Sequence, residues 1–195
     1  MEQMINYEKA IENLQETGFN PIPNLVDIAI PNAKDVLSRG LRYFTGDSAR
    51  WLPEYNEIVA WLSCNNGRGL LCYGNCGRGK SLICGKIIPL LLNHYCHKIV
   101  NCYDAQRMNA NIDLVKQKKI IYIDDVGTED VSVKYGERRM AFPELVDDAE
   151  KCGKLLIVTT NLSLSEISEK YGERTMDRLV AITTWVKFKG ESLRK

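Results

Sequence analysis

Long apolar runs are missing from this sequence. No stretch approaches the roughly 18 apolar residues that a membrane-spanning helix needs, so such a helix is excluded. The opening residues, Met1-Glu2-Gln3-Met4, carry no basic n-region and no apolar h-region. A secretory leader is therefore not expected, and a cytoplasmic protein is. Histidine is scarce, with two residues, and no CxxC pair occurs. Cys96-His97 with His94 lacks the spaced ligand pairs that zinc requires, so no zinc site is expected. An excess of one charge is missing too: 26 basic and 25 acidic residues leave a net charge of +1. Residues 1–60 hold five basic and nine acidic side chains, a net of −4, and the remainder is basic by +5. Charge alone will not coat a nucleic acid, although a local basic groove stays open. Six prolines and 14 glycines in 195 residues are too few for a low-complexity chain.

What is present describes one soluble folded unit, with 45% hydrophobic and 26% charged residues. The seven cysteines are odd in number and follow no secretion signal. Free, mostly buried thiols are the expectation. Residues 1–50 read as a helical appendage. Met4, Tyr7, Ile11 and Leu14 share one helical face, Gly18 is a stop, and Pro21 and Pro23 force an extended link. That face docks on a partner or packs on its own domain. A second short helix is predicted over 33–43. From residue 51 the pattern changes. A helix over 52–63 leads into short apolar strands at Leu70–Tyr73, Ile99–Tyr103, Ile120–Asp124, Leu155–Thr160 and Thr183–Phe188. Helical stretches separate most of them, which predicts a parallel α/β sheet covered on both faces. Lys134–Met140 recurs as Lys170–Met176 with six of seven residues matching. Nothing around the copies matches, so chance or a duplicated surface turn explains them.

Four segments carry chemistry. Gly74-Asn75-Cys76-Gly77-Arg78-Gly79-Lys80-Ser81 fits GxxxxGK[ST], the phosphate-binding loop. Its glycines let successive backbone N–H groups face phosphate oxygens, and the following helix aims its positive end at the same anion. Lys80 then serves the β- and γ-phosphates of ATP, or the β-phosphate of ADP, and the Ser81 hydroxyl serves Mg²⁺. Pro89 is expected to kink or end that helix. Next, Ile120-Ile121-Tyr122-Ile123-Asp124-Asp125 is a buried strand ending in two carboxylates, costly unless a cation or donors meet them. After a P-loop this pair suits Asp124 as a water-mediated Mg²⁺ ligand and Asp125 as the group that orients the attacking water; a helix cap or turn is the plainer alternative. Third, Asn161 ends the strand Leu155–Thr160, where α/β sheets bind ligands. It positions the hydrolytic water or N-caps the next helix. Fourth, Arg174 and Arg178 lie at i and i+4 on one helical face. They reach a neighbouring subunit's γ-phosphate or pair with Glu173 and Asp177.

In this order the P-loop, the Asp-Asp strand, Thr159-Thr160-Asn161 and Gly172-Glu173-Arg174-Thr175-Met176-Asp177-Arg178 resemble the DnaC/IstB group of AAA+ ATPases, most closely the DnaC-type helicase loaders. The likeness spans roughly residues 51–194 and extends to the tail Trp185–Arg194. It implies a fold: an α/β AAA+ P-loop NTPase core at 51–195, a five-stranded parallel sheet with helices on both faces, and no separate helical lid domain. It also implies roles. Lys80 and Ser81 become Walker A, Asp124 and Asp125 Walker B, Asn161 sensor 1, and Arg194 sensor 2 beside the bound nucleotide. Arg178 becomes the arginine finger acting in trans, with Arg174 its neighbour. The implied biology is an ATP-driven, self-oligomerising factor that places a replicative ring helicase on single-stranded DNA, with the N-terminal appendage on the helicase.

The link of residues 104–119 is short where DNA-gripping relatives carry longer insertions, so direct DNA contact is the less secure implication. Lys116, Lys118 and Lys119 form a solvated basic face or touch phosphates. Trp51, Trp61 and Trp185 are expected to pack rather than stack on bases. Cys72, Cys76 and Cys84, around the P-loop, are read as packing residues. Two same-core alternatives stay open, an IstB-like transposition helper and a nucleotide-gated adaptor that hydrolyses little. A monomeric P-loop kinase fits the Asp-Asp strand poorly.

Overall fold

A computed structural model describes residues 5–15, 24–129, 132–134 and 137–193. Five short strands make one sheet: β1 (Gly69–Gly74), β2 (Asn101–Asp104), β3 (Ile120–Val126), β6 (Leu155–Thr160) and β7 (Thr183–Phe188). Their order is β2-β3-β6-β1-β7, and every neighbouring pair is parallel. Two further strands, β4 (Ser132–Lys134) and β5 (Glu137–Arg139), form a separate antiparallel pair.

The central strands read as unbroken apolar runs because both faces are buried. Side chains alternate with period two. On one face Leu70, Cys72, Ile120, Tyr122, Leu155 and Ile157 meet α2 (Ala33–Thr45), α3 (Tyr55–Ser63) and the helix after the P-loop. On the other, Leu71, Tyr73, Ile121, Ile123, Leu156 and Val158 meet α6 (Ala105–Ala110), α7 (Ile112–Val115), α8 (Ala141–Cys152), α9 (Leu164–Tyr171) and α10 (Glu173–Ile182). The helix after the P-loop is not uniform. Its first turn, α4 (Lys80–Leu82), widens into a π-helical stretch at Ile83–Ile87 and resumes as α5 (Ile88–Cys96). Pro89 sits in the first turn of α5, where the missing N–H is tolerated after the wide turn.

The expected appendage divides. Val26, Ile28, Ile30, Leu37 and Leu41 are buried in the same core as the P-loop strand. Residues 26–44 thus pack into the same core as the P-loop strand, and the expected boundary at residue 50 does not separate them from it. The reason is coverage: without α2, the face formed by Ile83 and Ile87 would lack part of its packing. The first helix, α1 (Tyr7–Gln15), does not bury its stripe, since Tyr7 is 70% and Leu14 44% exposed. Met4, Gly18, Pro21 and Pro23 lie outside the described residues.

The two copies of the repeat adopt different structures. The first contributes to β4 and β5, and the second runs from the end of α9 into α10. They are not a duplicated turn. Among the described residues nothing helical follows β7, and no helix is long and apolar enough to cross a membrane.

Candidate nucleotide-binding site

The P-loop leaves β1 and curls into α4 at the carboxyl edge of the sheet. Gly77 and Gly79 adopt φ of 70° and 90°, a region that disfavours side chains. A Cβ on Gly79 would also lie 2.7 Å from the Tyr55 hydroxyl, which itself donates to the Arg78 carbonyl at 2.9 Å. Tyr55 is fully buried, and its phenol is pushed up to about 12 by that burial and by Glu54, against Arg78.

Lys80 is buried at the centre of the site. Its Nζ donates to the carbonyls of Gly74 and Asn75, each at 2.7 Å, and to Asn161 Oδ1 at 2.9 Å. Burial pulls its pKa below the usual lysine value, and the nearby Asp125 partly opposes that pull. Ser81 Oγ donates to Asp124 Oδ1 at 2.8 Å. Asp124 is desolvated, which alone would raise its pKa; hydrogen bonds from Thr159, Tyr122, Ser81 and the Asp125 backbone outweigh that and hold it low. Beyond Asp124 the β3–β6 register shifts, and Asp125 takes the left-handed region at φ 53°. Asn161 Nδ2 donates to Asp125 Oδ1 at 3.0 Å. One amide therefore links the Walker-A lysine to the second carboxylate. The alternative role for Asn161 falls away because Ser163 caps α9 in a capping box with Glu166.

These groups border a cavity of about 310 Å³, the size of a small-ligand site. Cys76, Gly77, Gly79, Lys80 and Ser81 line one part, Asp125 and Asn161 another. Leu41, Thr45, Ser48, Arg50, Tyr55, Leu82 and Leu193 complete it. The contribution of α2 and its following turn was invisible in the sequence, which offers no phosphate or base motif there. Thr159 carried a usable signal, since a threonine inside an apolar strand must find a partner. Among the described residues no group of three or more His, Cys, Asp and Glu could hold a metal by itself. A hydroxyl and one carboxylate within 2.8 Å of each other fit Mg²⁺, which takes few protein oxygens and completes its shell with phosphates and water.

Several sequence expectations change. The Arg78 guanidinium does not line the cavity. It pairs with Glu54 at 2.7 Å, both side chains being at most 10% exposed, and donates to the Glu191 carbonyl at 3.1 Å. Asn75 Nδ2 donates to the Gly190 carbonyl at 2.8 Å, and the Leu193 N–H to the Gly77 carbonyl at 2.9 Å. The tail thus straps the P-loop. Arg194 lies outside the described residues. Neither Arg174 nor Arg178 lines the cavity. Arg178 is engaged within its own chain, pairing with Asp147 and, at 2.9 Å, with Glu150 of α8. To act in trans, Arg178 would have to give up both pairs. Arg174 is exposed and has no ion pair or hydrogen bond among the described residues.

Of the predicted basic face, the Lys119 ammonium is engaged locally, while Lys116 and Lys118 contribute backbone carbonyls to Lys154. Lys119 Nζ donates to the Asn24 and Cys152 carbonyls at 2.6 and 2.7 Å, and Lys154 to those of Lys116 and Lys118. These groups stand at the start of β3, opposite the P-loop edge. Trp61 packs as expected, 2% exposed with its indole N–H on the Arg68 and Gly69 carbonyls. All seven cysteines are free, but only Cys72 and Cys84 are buried; Cys64, Cys76, Cys102 and Cys152 are exposed. The expectation of mostly buried thiols fails, since four of the seven lie on loops or element ends.

No family model and no curated protein matches the sequence. Solved structures do match. A protein described as a primosome component of Streptococcus pyogenes serotype M3 superposes with a TM-score of 0.51 at 18% identity, over 87% of each chain. The DnaC helicase loader gives 0.53 at 16% identity, over 83% of this chain and 93% of that one. DnaI gives 0.52 at 16% identity, over 84% and 85%. At these identities the likeness is one of fold, and the chain carries the α/β fold of the DnaC and DnaI structures.

Proposed function

We propose that this chain is a Mg²⁺-dependent AAA+ ATPase that loads or remodels a replicative ring helicase on single-stranded DNA. The observation that carries the reading is the convergence of Lys80, Ser81, Asp125 and Asn161 on one cavity, with Asp124 hydrogen-bonded to Ser81 beside it. The likeness of fold to DnaC and DnaI supports the helicase part.

In this reading the P-loop N–H groups cradle the phosphates. Lys80 exchanges the Gly74 and Asn75 carbonyls for phosphate oxygens, a swap that its low-pKa, desolvated setting favours. Ser81 and Asp124 hold Mg²⁺, which supplies neutralisation of phosphate charge. Asp125 orients the attacking water, and Asn161 fixes Asp125 against Lys80. Among the described residues, Lys80 and Arg50 are the two cations lining the cavity. A neighbouring copy supplies the finger, and Arg174 suits it better than Arg178 because Arg174 is unengaged. The exposed stripe of α1, Tyr7 and Leu14, is the helicase-facing surface.

The test is ATP turnover against protein concentration, with and without single-stranded DNA. Specific activity is expected to rise with concentration and again with DNA. Flat specific activity, indifferent to DNA, would point to a monomeric P-loop enzyme and end the loader reading.

A further inference from the structure

Three hydroxyls converge on one oxygen of Asp124. Ser81 Oγ donates at 2.8 Å, Tyr122 OH at 2.6 Å and Thr159 Oγ1 at 2.5 Å, all to Oδ1. Only Ser81 belongs to a nucleotide-binding motif. Tyr122 is 3% exposed and Thr159 fully buried. A desolvated hydroxyl bonds a carboxylate strongly because water does not compete. A carboxylate oxygen with about two lone pairs is saturated by such a set. No side-chain hydroxyl reaches Oδ2 among the described residues. The three bonds fix the carboxylate in rotation and commit Oδ1 to protein, so Oδ2 is the oxygen that would serve a cation or its water.

The fold makes room for this arrangement. Tyr122 stands two residues before Asp124, hence on the same face of β3. Its ring passes Gly85 in the π-helical stretch, where a Cβ would lie 2.7 Å from Cε1. The wide turn and the missing side chain together admit the phenol under the P-loop helix. Thr159 comes from β6, where the register Ile123 to Val158 sets it beside Asp124. Its Oγ1 also accepts the Asp125 N–H at 3.1 Å, so the same atom holds Asp125 in its left-handed conformation.

We propose that Tyr122 and Thr159 are positioning residues for the cation site, orienting Asp124 toward Mg²⁺ and, through Thr159, fixing Asp125 beside it. The proposal rests on the Mg²⁺-nucleotide reading above. Neither residue lines the P-loop cavity, so their loss weakens metal-dependent binding and leaves metal-free binding intact. Partners that orient a metal ligand typically account for about 10–100-fold in metal affinity.

The experiment titrates MgCl₂ into the full chain with N-methylanthraniloyl-ATP, following fluorescence, against a baseline in EDTA. Tyr122→Phe and Thr159→Val keep shape and remove a hydroxyl; Thr159→Ser keeps the hydroxyl. The Mg²⁺ midpoint is expected to rise by about 10–100-fold in Tyr122→Phe and Thr159→Val, to stay near wild type in Thr159→Ser, and the EDTA baseline to be common to all. A structural role alone would lower the melting temperature without moving the midpoint. Folded Tyr122→Phe with a wild-type midpoint overturns the assignment, and this variant decides the matter if Thr159→Val does not fold. Wild-type protein that binds the analogue without any Mg²⁺ dependence, or not at all, overturns the Mg²⁺-nucleotide reading and the assignment with it.

Discussion

Two arginines one helical turn apart have separate fates. Arg178 is pinned between Asp147 and Glu150, while Arg174 faces solvent. Arg178→Ala should lower stability by about 1 kcal/mol, the range of a partly exposed ion pair, and leave turnover per folded molecule intact. Arg174→Ala should fold normally and lose about 10³-fold or more in concentration-dependent turnover, the effect of losing a finger. Urea denaturation and ATPase assays on both variants separate the roles; the opposite pattern restores Arg178. Asp124 yields a pH expectation. Burial pushes its carboxyl up, but the hydroxyls of Thr159, Tyr122 and Ser81 and the Asp125 N–H bring it below the ordinary 3.8. A carboxyl lowered in the folded state stabilises above its unfolded pKa, and that contribution is lost as pH falls through the folded value. Asp124→Asn should therefore show a shallower loss of stability below about pH 4 than wild type, read from urea midpoints. The residues that build the site were only half legible. Lys80, Ser81, Asp124, Asp125 and Asn161 announce themselves through type and spacing. Tyr122 does not, and Thr159 signals only that it needs a partner, because the neighbouring strand decides which group a hydroxyl in an apolar strand meets.

Strands were read closely from the sequence, because short runs covered on both faces leave a continuous apolar signature. Leu155–Thr160 and Thr183–Phe188 coincide with the observed β6 and β7. The π-helical stretch was not legible: Pro89 marked an irregularity, yet the wide turn lies before it, shaped by Tyr122 from another element. Close approach between strands is equally hidden. At Gly69 a Cβ would lie 2.1 Å from the Leu156 carbonyl oxygen of β6. That contact is with backbone in the middle of the sheet and has no flexible partner to yield. Gly69→Ala should cost at least about 2 kcal/mol by overpacking, seen as a lower urea midpoint, and a neutral result would mean that β1 and β6 separate more readily than their pairing implies.

The whole molecule joins its N-terminal segment unevenly. The chain from Val26 to Leu41 is built into the face of the sheet that carries the P-loop, and Leu41 and Thr45 also border the nucleotide cavity. Deleting residues 1–20 should leave melting temperature and nucleotide binding near wild type. Deleting residues 1–50 removes Ile28, Leu37 and Leu41, each buried to within 5%. At about 1.5–3 kcal/mol for each buried aliphatic side chain, that loss approaches the stability of a whole domain. The shorter chain should not fold, as judged by loss of a cooperative melt. Equal behaviour of the two truncations would return α2 to the status of an appendage.

Sequence alone determined the α/β sheet, the P-loop and the two polar strand ends, because these rest on local chemistry: side-chain period, glycine conformation and motif spacing. Only the tertiary structure decided that residues 26–44 pack into the core, that Arg78 and Arg178 bond within their own chain, and that Tyr122 and Thr159 grip Asp124. Each of those depends on which surface a segment meets after folding, and partners distant in sequence leave no periodic trace in either segment.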